Sequence, residues 1–142
     1  DEASAFFGGL AGNAGLFSTA RDVARVYQML LNGGEIDGQR YLSKETCQLF
    51  TTETSKISRR GLGFDKPDAD DPKKGNCAPA APAEVYGHTG FTGTCAWVDP
   101  VNELVYVFLS NRIYPDVTNR KLNQLHIRER IQGAIYDAMK KK

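Results

Sequence analysis

The sequence predicts an α+β fold, in which helices pack on a small antiparallel sheet. Three observations predict it. The first half carries two amphipathic helical segments with capping residues, and residues 95–108 contain two apolar runs separated by a turn. The last part of the chain repeats apolar residues at helical spacing. The 142 residues show no internal repeat and are the size of one domain.

The two predicted helices of the first half begin at capping residues. A glycine-rich lead-in comes first, and residues 19–22 then match the S/T-x-x-D/E capping box. Apolar residues follow with a 3.6-residue period until the glycines at 33–34 end the helix. The Asp-Gly pair at 37–38 favours a tight turn in a small hairpin. Ser43 then caps a short helix over residues 44–50.

The second half predicts a loop, a hairpin and a closing helix. Residues 61–65, GLGFD, favour a brief strand, and residues 66–83 are predicted to be an exposed insertion loop rich in Pro, Ala, Asp and Lys. CAWVD and LVYVF are predicted strands, with a turn at Asp99-Pro100 between them. The C-terminal helix is expected to pack on this sheet through an apolar stripe. Its members are Ile127, Ile131, Ala134, Ile135, Ala138 and Met139.

Composition and charge argue against several classes of protein. A net charge of +1 gives no electrostatic reason to bind nucleic acid or an anionic membrane. No apolar run approaches the roughly 20 residues of a membrane span, and the acidic start has no signal-peptide pattern. The three cysteines form no C-x-x-C pair, so the sequence predicts neither a disulfide scaffold nor a zinc site. Three separate thiols are the favoured interpretation, with one disulfide left open. No cofactor or metal is indicated.

The candidate site is the segment YGHTGFTGT, residues 86–94. Small residues at a strand edge let a ligand lie against the backbone. A threonine hydroxyl there can hold a carboxylate, a histidine can supply a proton or a positive charge, and an exposed N–H can donate to an oxyanion. The alternative is structural: a glycine-rich strand start is often a bulge, and a single histidine is often packed or solvated.

The order of the motifs resembles the C-terminal part of the serine β-lactamase and penicillin-binding-protein superfamily, on the class C and DD-peptidase side. His88-Thr89-Gly90 resembles the third box of that superfamily, written K-T-G in many members and H-T-G in some. GGLAGNAGLFSTARDVARVYQMLLNGG, WVDP, LVYVFLSNR and the closing helix resemble the segments around that box. The segments LFSTARD and GHTGFTGT are most similar to those of β-lactamase-related domains appended to family-3 glycoside hydrolases of the β-N-acetylglucosaminidase type.

The resemblance implies a role for each residue of the third box. His88 would stand near the nucleophile and the substrate carboxylate. The Thr89 hydroxyl would contact that carboxylate or shuttle a proton, and Gly90 would leave room for the acyl chain. The backbone N–H of Phe91 would be one oxyanion donor. The resemblance also implies a transpeptidase-like fold, a small-molecule or peptide substrate and an extracytoplasmic location.

The first two boxes of the superfamily are absent from the sequence. None of the serines is followed three residues on by lysine, as the S-x-x-K nucleophile box requires, and no Tyr-x-Asn box is found. The favoured hypothesis is that residues 1–142 are the C-terminal portion of one β-lactamase-like domain, with Asp1 at a processing boundary. This chain alone is then predicted to be inactive. The alternative is a non-catalytic accessory or binding module attached to a glycoside hydrolase.

Two further expectations follow. The missing N-terminal region of the domain is expected to leave an unpaired strand edge and exposed apolar surface, through which the chain would self-associate. A metal site built from His88, His126 and Cys95 is disfavoured, since the three lack ligand-type spacing.

Overall fold

The computed structural model describes residues 2–9, 11–12, 14–52, 57–68, 71 and 76–140. Within these residues the chain forms five helices and two antiparallel sheets, which confirms the α+β class. In chain order the elements are α1 Glu2–Phe6, α2 Ala20–Leu31, β1 Glu35–Ile36, β2 Gln39–Arg40, α3 Lys44–Thr51, β3 Tyr86–Thr89, β4 Cys95–Asp99, β5 Leu104–Phe108, α4 Lys121–Gln124 and α5 Ile127–Met139.

The first half folds as the capping residues predict. The Thr19 hydroxyl accepts a hydrogen bond from the Asp22 N–H at 3.2 Å, and the Ser43 hydroxyl accepts one from the Thr46 N–H at 3.1 Å. These bonds satisfy N–H groups that have no partner inside the helix. Asp37 and Gly38 both have positive φ, 53° and 74°, as a two-residue type I′ hairpin turn requires.

The larger sheet has the order β3-β4-β5, with antiparallel neighbours. Because side chains alternate along a strand, Cys95 and Trp97 share one face of β4, and Ala96 and Val98 lie on the other. Helix α2 packs on β4 and β5, whereas α5 reaches the face of Cys95 and Trp97. Both faces of the central strand are therefore covered, and all five of its residues are buried.

The hydrophobic core lies between the sheet and α5. Its buried members share apolar or aromatic side chains from the loop before β3, from β4 and from β5. They are Cys77, Val85, Cys95, Trp97 and Tyr106. Trp97 is 1% exposed and is the largest side chain of this core. All three cysteines are free and buried, as the favoured interpretation has it.

The predicted packing face of the C-terminal helix is confirmed at Ile135, which packs against the core, and is shifted by one residue elsewhere. The residues of α5 that are buried are Arg128, Gln132 and Tyr136, whereas Ile131 and Met139 are each 38% exposed. Polar partners explain the shift. Gln132 Oε1 accepts from the Ala78 N–H at 2.7 Å, and Tyr136 Oη donates to Asp99 Oδ2 at 2.8 Å. Directed hydrogen bonds therefore orient this helix together with the packing of Ile135 against the core.

The exposure predicted for residues 66–83 does not hold at the first residue of the loop or at two residues within it. Lys66 is 7% exposed, and Cys77 and Ala78 are each 2% exposed. The Lys66 Nζ donates to the Thr51 and Glu84 carbonyl oxygens, and Cys77 belongs to the core. The loop is thus tied to α3 and to the sheet at its ends, while residues 69–70 and 72–75 lie outside the described residues.

The expected strand at 61–65 does not form as a regular strand, and only isolated bridge residues occur there. Asp65 pairs with Gly87 on the outer side of β3, and no regular strand forms over the segment. None of the helices in the described part of the chain is long and apolar enough to cross a membrane.

Candidate functional site

Strand β3 has an outer edge that is only partly paired. The Asp65 N–H donates to the Gly87 carbonyl at 2.7 Å, and the Gly87 N–H donates back to the Asp65 carbonyl at 3.1 Å. Because backbone groups alternate sides in an antiparallel ladder, the N–H and C=O of Thr89 face the same edge, one step beyond this bridge. Thr89 thus presents its backbone where an added ligand would lie.

Gly87 is required by the close approach of two strands. A Cβ atom built on it would lie 2.1 Å from the Ala96 carbonyl oxygen and 2.6 Å from Trp97 Cε3. Any side chain here would push β3 away from β4. The position of the following His-Thr-Gly triplet therefore depends on this glycine.

The side chain of Asp65, the residue that pairs with Gly87, is held by its own contacts. Its carboxylate is 1% exposed and lies 2.9 Å from Arg60 Nε and 3.6 Å from Arg59 Nη2. The Asn76 side-chain amide donates to the other carboxylate oxygen of Asp65, Oδ2, at 3.3 Å. A buried carboxylate paired with arginines resists movement, so the edge beside Gly87 is held in place.

His88 is exposed, and its imidazole is available at the surface of the sheet edge. Its Nδ1 lies 2.6 Å from the Thr89 carbonyl oxygen. A carbonyl oxygen only accepts, so this contact is a hydrogen bond when Nδ1 carries the proton. In that tautomer the Nε2 of the neutral ring is left as a free acceptor, which is the form a general base needs.

The turn after β3 carries the predicted oxyanion donor. The Gly93 N–H donates to the Gly90 carbonyl at 3.0 Å, which closes a β-turn over residues 90–93, and the Gly90 N–H donates to the Thr94 carbonyl at 2.8 Å. Phe91 is the first central residue of this turn and is 70% exposed. Its N–H has no hydrogen-bond partner among the described residues.

The structure brings the predicted site residues together at one end of β3. His88, Thr89, Gly90 and Phe91 run from the strand into the turn, and none of them is buried. An edge strand with an open backbone, an unpaired N–H and an exposed imidazole can bind an acyl group and stabilise a developing oxyanion.

A nucleophile is not among the described residues that surround this turn. Ser110 is nearby, but its hydroxyl donates to the Thr92 carbonyl at 3.1 Å and has no lysine or histidine partner. Burial raises the pKa of the Cys95 thiol to about 11 and that of Cys77 to about 12. Both thiols therefore stay protonated near neutral pH and are poor nucleophiles.

Two groups that hold the site cannot be recognised from the sequence alone. Asp65 ends the predicted strand at 61–65, and only the fold shows that it pairs with β3. Ser110 and Arg112 follow the predicted strand LVYVF, and both contact the turn at 90–93. The S-N-R triplet after an apolar strand was the available signal.

The metal alternative receives no support from the geometry. No group of three His, Cys, Asp or Glu residues able to hold an ion occurs among the described residues. Cys95 is buried on the α5 side, His88 pairs with Ala96 and so faces the other side, and His126 stands at the start of α5.

A cavity of about 700 Å³ lies away from this site, between α2, α3 and the start of β3. Cys47, Lys66 and Tyr86 are among its lining residues. None of residues 88–91 lines it, so we do not assign the candidate site to this cavity.

Comparison with known proteins identifies the family of the chain. The family model described as "Beta-lactamase" matches residues 1–129. The chain therefore belongs to the β-lactamase family.

The similar curated proteins share one description. A protein named "Putative D-alanyl-D-alanine carboxypeptidase" from Escherichia coli O157:H7 is 37% identical over 116 residues, which is 82% of this chain and 26% of that protein. Proteins of the same name from Escherichia coli K12 and Salmonella agona SL483 are each 36% identical over 116 residues, with 26% and 27% of their lengths covered. The chain thus spans about a quarter of the length of these relatives.

Proposed function

We propose that this chain is the C-terminal part of a serine hydrolase of the β-lactamase and DD-peptidase type, and that it supplies the oxyanion strand. The complete enzyme would attack an amide or ester carbonyl through an acyl-serine intermediate. The serine and its activating lysine would belong to another segment of a longer protein. Family membership and the D-alanyl-D-alanine carboxypeptidase relatives support the hydrolase class.

The single observation that carries the proposal is the unpaired N–H of Phe91. It lies in a turn whose neighbouring backbone groups are hydrogen-bonded, so its direction is set by the fold. A donor fixed before the reaction stabilises the transition state without a cost of reorganisation. The second donor would be the N–H of the nucleophilic serine.

The neighbouring residues support matching roles. Thr89 faces the open edge of β3 with its backbone, where the substrate would lie as an added strand. Its hydroxyl would contact the substrate carboxylate. His88, with Nδ1 bonded to the Thr89 carbonyl, would offer Nε2 for proton transfer. Gly90 would keep the acyl chain free of side-chain contacts.

Two open surfaces favour a longer protein. β5 is the last strand of the sheet in the described residues, and by the ladder alternation the N–H and C=O groups of Val105 and Val107 point away from β4. On α5 the stripe that the sequence predicted as core is exposed at Ile131 and Met139. We infer that the remaining region of the same domain covers this edge and this stripe.

Without that region, self-association is expected, because an open strand edge beside apolar surface favours pairing between copies. Light scattering of the 142-residue chain at increasing concentration tests this. A monomer at high concentration that binds no hydrophobic dye would contradict it.

Substrate and location belong to the proposal as well. The names of the relatives favour a D-alanyl-D-alanine peptide or a related ester or β-lactam. A cell-wall substrate of that kind would place the protein outside the cytoplasm. Attachment to a family-3 glycoside hydrolase stays a prediction from the resemblance, and sequencing the gene upstream of Asp1 would test it.

The test is acylation by a fluorescent penicillin, followed by intact mass. The 142-residue chain is compared with the longer protein, and with a longer protein whose S-x-x-K serine is changed to alanine. We expect label on the unmodified longer protein only. Turnover of a β-lactam by the 142-residue chain alone would overturn the proposal. If neither protein takes label, p-nitrophenyl esters are tried next, and no acyl-enzyme with either class would reject the hydrolase.

A further inference from the structure

The turn that carries the Phe91 N–H is held from outside by the segment after β5. The Arg112 side chain donates through Nε to the Phe91 carbonyl at 2.9 Å. The Arg112 backbone N–H donates to the Thr92 carbonyl at 2.9 Å, and the Ser110 hydroxyl donates to the same oxygen at 3.1 Å. Two consecutive carbonyls of an exposed turn are therefore fixed by three hydrogen bonds from one short segment.

Packing adds to these bonds. The Arg112 guanidinium carbon lies 4.9 Å from the centroid of the Phe91 ring, which is the geometry of a cation–π contact. Its Nη1 lies 3.4 Å from the Val117 carbonyl and faces the loop before α4. Gly93 packs so closely on this segment that a Cβ would meet Ser110 Oγ at 2.6 Å and Arg112 Cγ at 3.3 Å.

The hydrogen bonds leave a specific pattern of free groups. The Gly90 N–H and C=O and the Phe91 and Thr92 carbonyls all have partners. The N–H groups of Phe91 and Thr92 have none among the described residues. Arg112 holds the Phe91 carbonyl, and so the Phe91–Thr92 peptide, and it also holds the Phe91 ring. The Gly90–Phe91 peptide, which carries the Phe91 N–H, is joined to both at the Phe91 Cα and is held on its other side by the Gly93 N–H through the Gly90 carbonyl.

We propose that Arg112 is a positioning residue for the reaction, which sets the direction of the Phe91 N–H in the oxyanion site. This inference rests on the proposed function. Arg112 itself touches no reacting atom in this scheme, since it acts through the Phe91–Thr92 peptide and the Phe91 side chain, which meet the N–H-bearing peptide at the Phe91 Cα. Oxyanion stabilisation requires a donor about 2.7–3.1 Å from the developing charge, and a displacement of about 1 Å costs on the order of 100-fold in rate.

Lysine cannot replace arginine in this role. The planar guanidinium donates hydrogen bonds in its own plane while its face stacks on an aromatic ring. An ammonium group is instead a point charge on a flexible stem. A lysine at 112 keeps the charge and the backbone bond to Thr92. It cannot hold the Phe91 carbonyl and stack on the ring at once.

The test compares Arg112→Gln and Arg112→Lys with the control Arg130→Gln. Arg130 is exposed on α5, and its side chain forms no described contact with the turn. In the 142-residue chain, amide exchange of the peptide covering residues 88–94 is followed by mass spectrometry. We expect faster exchange there for both Arg112 variants, with the remaining peptides and the unfolding midpoint changed little.

In the longer protein two quantities are measured separately: the acylation rate at saturating substrate, and the substrate concentration that gives half of this rate. Arg112→Gln is expected to lower the rate by about 10- to 100-fold and to change the half-saturating concentration less than about threefold. Arg112→Lys should recover only a small part of the rate, and Arg130→Gln should match the parent.

The outcomes separate this inference from the proposed function. A parent protein that forms no acyl-enzyme overturns both. A parent that is acylated, with Arg112→Gln equally fast or affected only in the half-saturating concentration, overturns the role of Arg112 alone. Full rescue by lysine would also overturn it, because charge and not the geometry of the guanidinium would then be what matters.

Discussion

Replacing Asp99 by alanine is expected to destabilise the chain strongly. The Asp99 carboxylate is 2% exposed and accepts four hydrogen bonds. The Val101 and Asn102 N–H groups donate to Oδ1 at 2.9 and 3.0 Å, and the Asn102 side-chain amide and the Tyr136 hydroxyl donate to Oδ2 at 2.7 and 2.8 Å. One side chain therefore closes the β4–β5 turn and anchors α5 to it.

The four bonds do not contribute equally. Val101 and Asn102 are exposed, so water can replace the carboxylate there. Tyr136 is 4% exposed, and its hydroxyl would be left buried without an acceptor. Burial, and then the bond to Asp99, raises the pKa of this hydroxyl, so it remains a donor throughout the accessible pH range. An orphaned buried hydroxyl costs about 1–3 kcal/mol, and the lost charged hydrogen bonds bring the total to about 3–4 kcal/mol.

Urea unfolding followed by the fluorescence of Trp97, the single tryptophan, measures this loss. Asp116→Ala is the matched control, since Asp116 also accepts two bonds from a nearby residue, Thr118, but is exposed, and its midpoint should shift little. Tyr136→Phe should cost about 1–2 kcal/mol, because it removes one of the four bonds. A loss below about 1 kcal/mol for Asp99→Ala would refute the reasoning.

Three further predictions concern the strand contact and the thiols. Gly87→Ala should lower the free energy of unfolding by about 2–4 kcal/mol, because its Cβ meets backbone on β4, whereas Gly133→Ala should raise it by up to about 1 kcal/mol, since its nearest neighbour is 4.0 Å away and alanine favours the helix. Equal midpoints in urea would contradict both. Cys77 and Cys95 should resist N-ethylmaleimide at pH 8 in the native chain and react in urea; rapid native labelling, seen by intact mass, would contradict their burial. The folded pKa values of Cys77 and Cys95, about 12 and about 11, exceed the unfolded value of 9.0. The two buried thiols therefore contribute fully to stability below pH 9, and this contribution is lost as the pH rises through the folded pKa values. The loss is about 1.4 kcal/mol per pH unit for each thiol that ionises in the unfolded chain. A urea midpoint that does not decrease as the pH is raised from about 9 to about 11 would count against this.

Much of the local structure follows from short-range patterns. Thr19 and Ser43 cap the helices they were expected to cap, and the Asp37-Gly38 turn forms as its residue types require. Helix α1 was not predicted, since EASAF is too short to show a period or a cap. Elements that carry their own signal in sequence are the ones that sequence reasoning finds.

Tertiary partners decide what local patterns leave open. The apolar repeat on α5 predicts a helix correctly, yet the buried face follows Gln132 and Tyr136, because their partners lie on Ala78 and Asp99. No periodicity in the helix itself contains that information. The same holds for the loop at 66–83, in which Lys66, Cys77 and Ala78 are buried by contacts with distant elements.

The candidate site shows the same division. The position of His88, Thr89, Gly90 and Phe91 at one strand end was expected from the triplet and its flanks. The bridge from Asp65 and the bonds from Ser110 and Arg112 were not, since each joins segments far apart in the chain. Sequence motifs therefore located the groups expected to react, and the structure located the groups that hold them.

The measurement that tests the central claim most directly is a crystal structure of the longer protein after reaction with a phenylboronic acid, which forms a tetrahedral adduct on a reactive serine. The account predicts an adduct oxygen about 2.7–3.1 Å from the Phe91 nitrogen, with the turn at 90–93 unchanged. An adduct whose oxygens point away from this turn, or a Phe91 N–H bonded to another protein group, would contradict it.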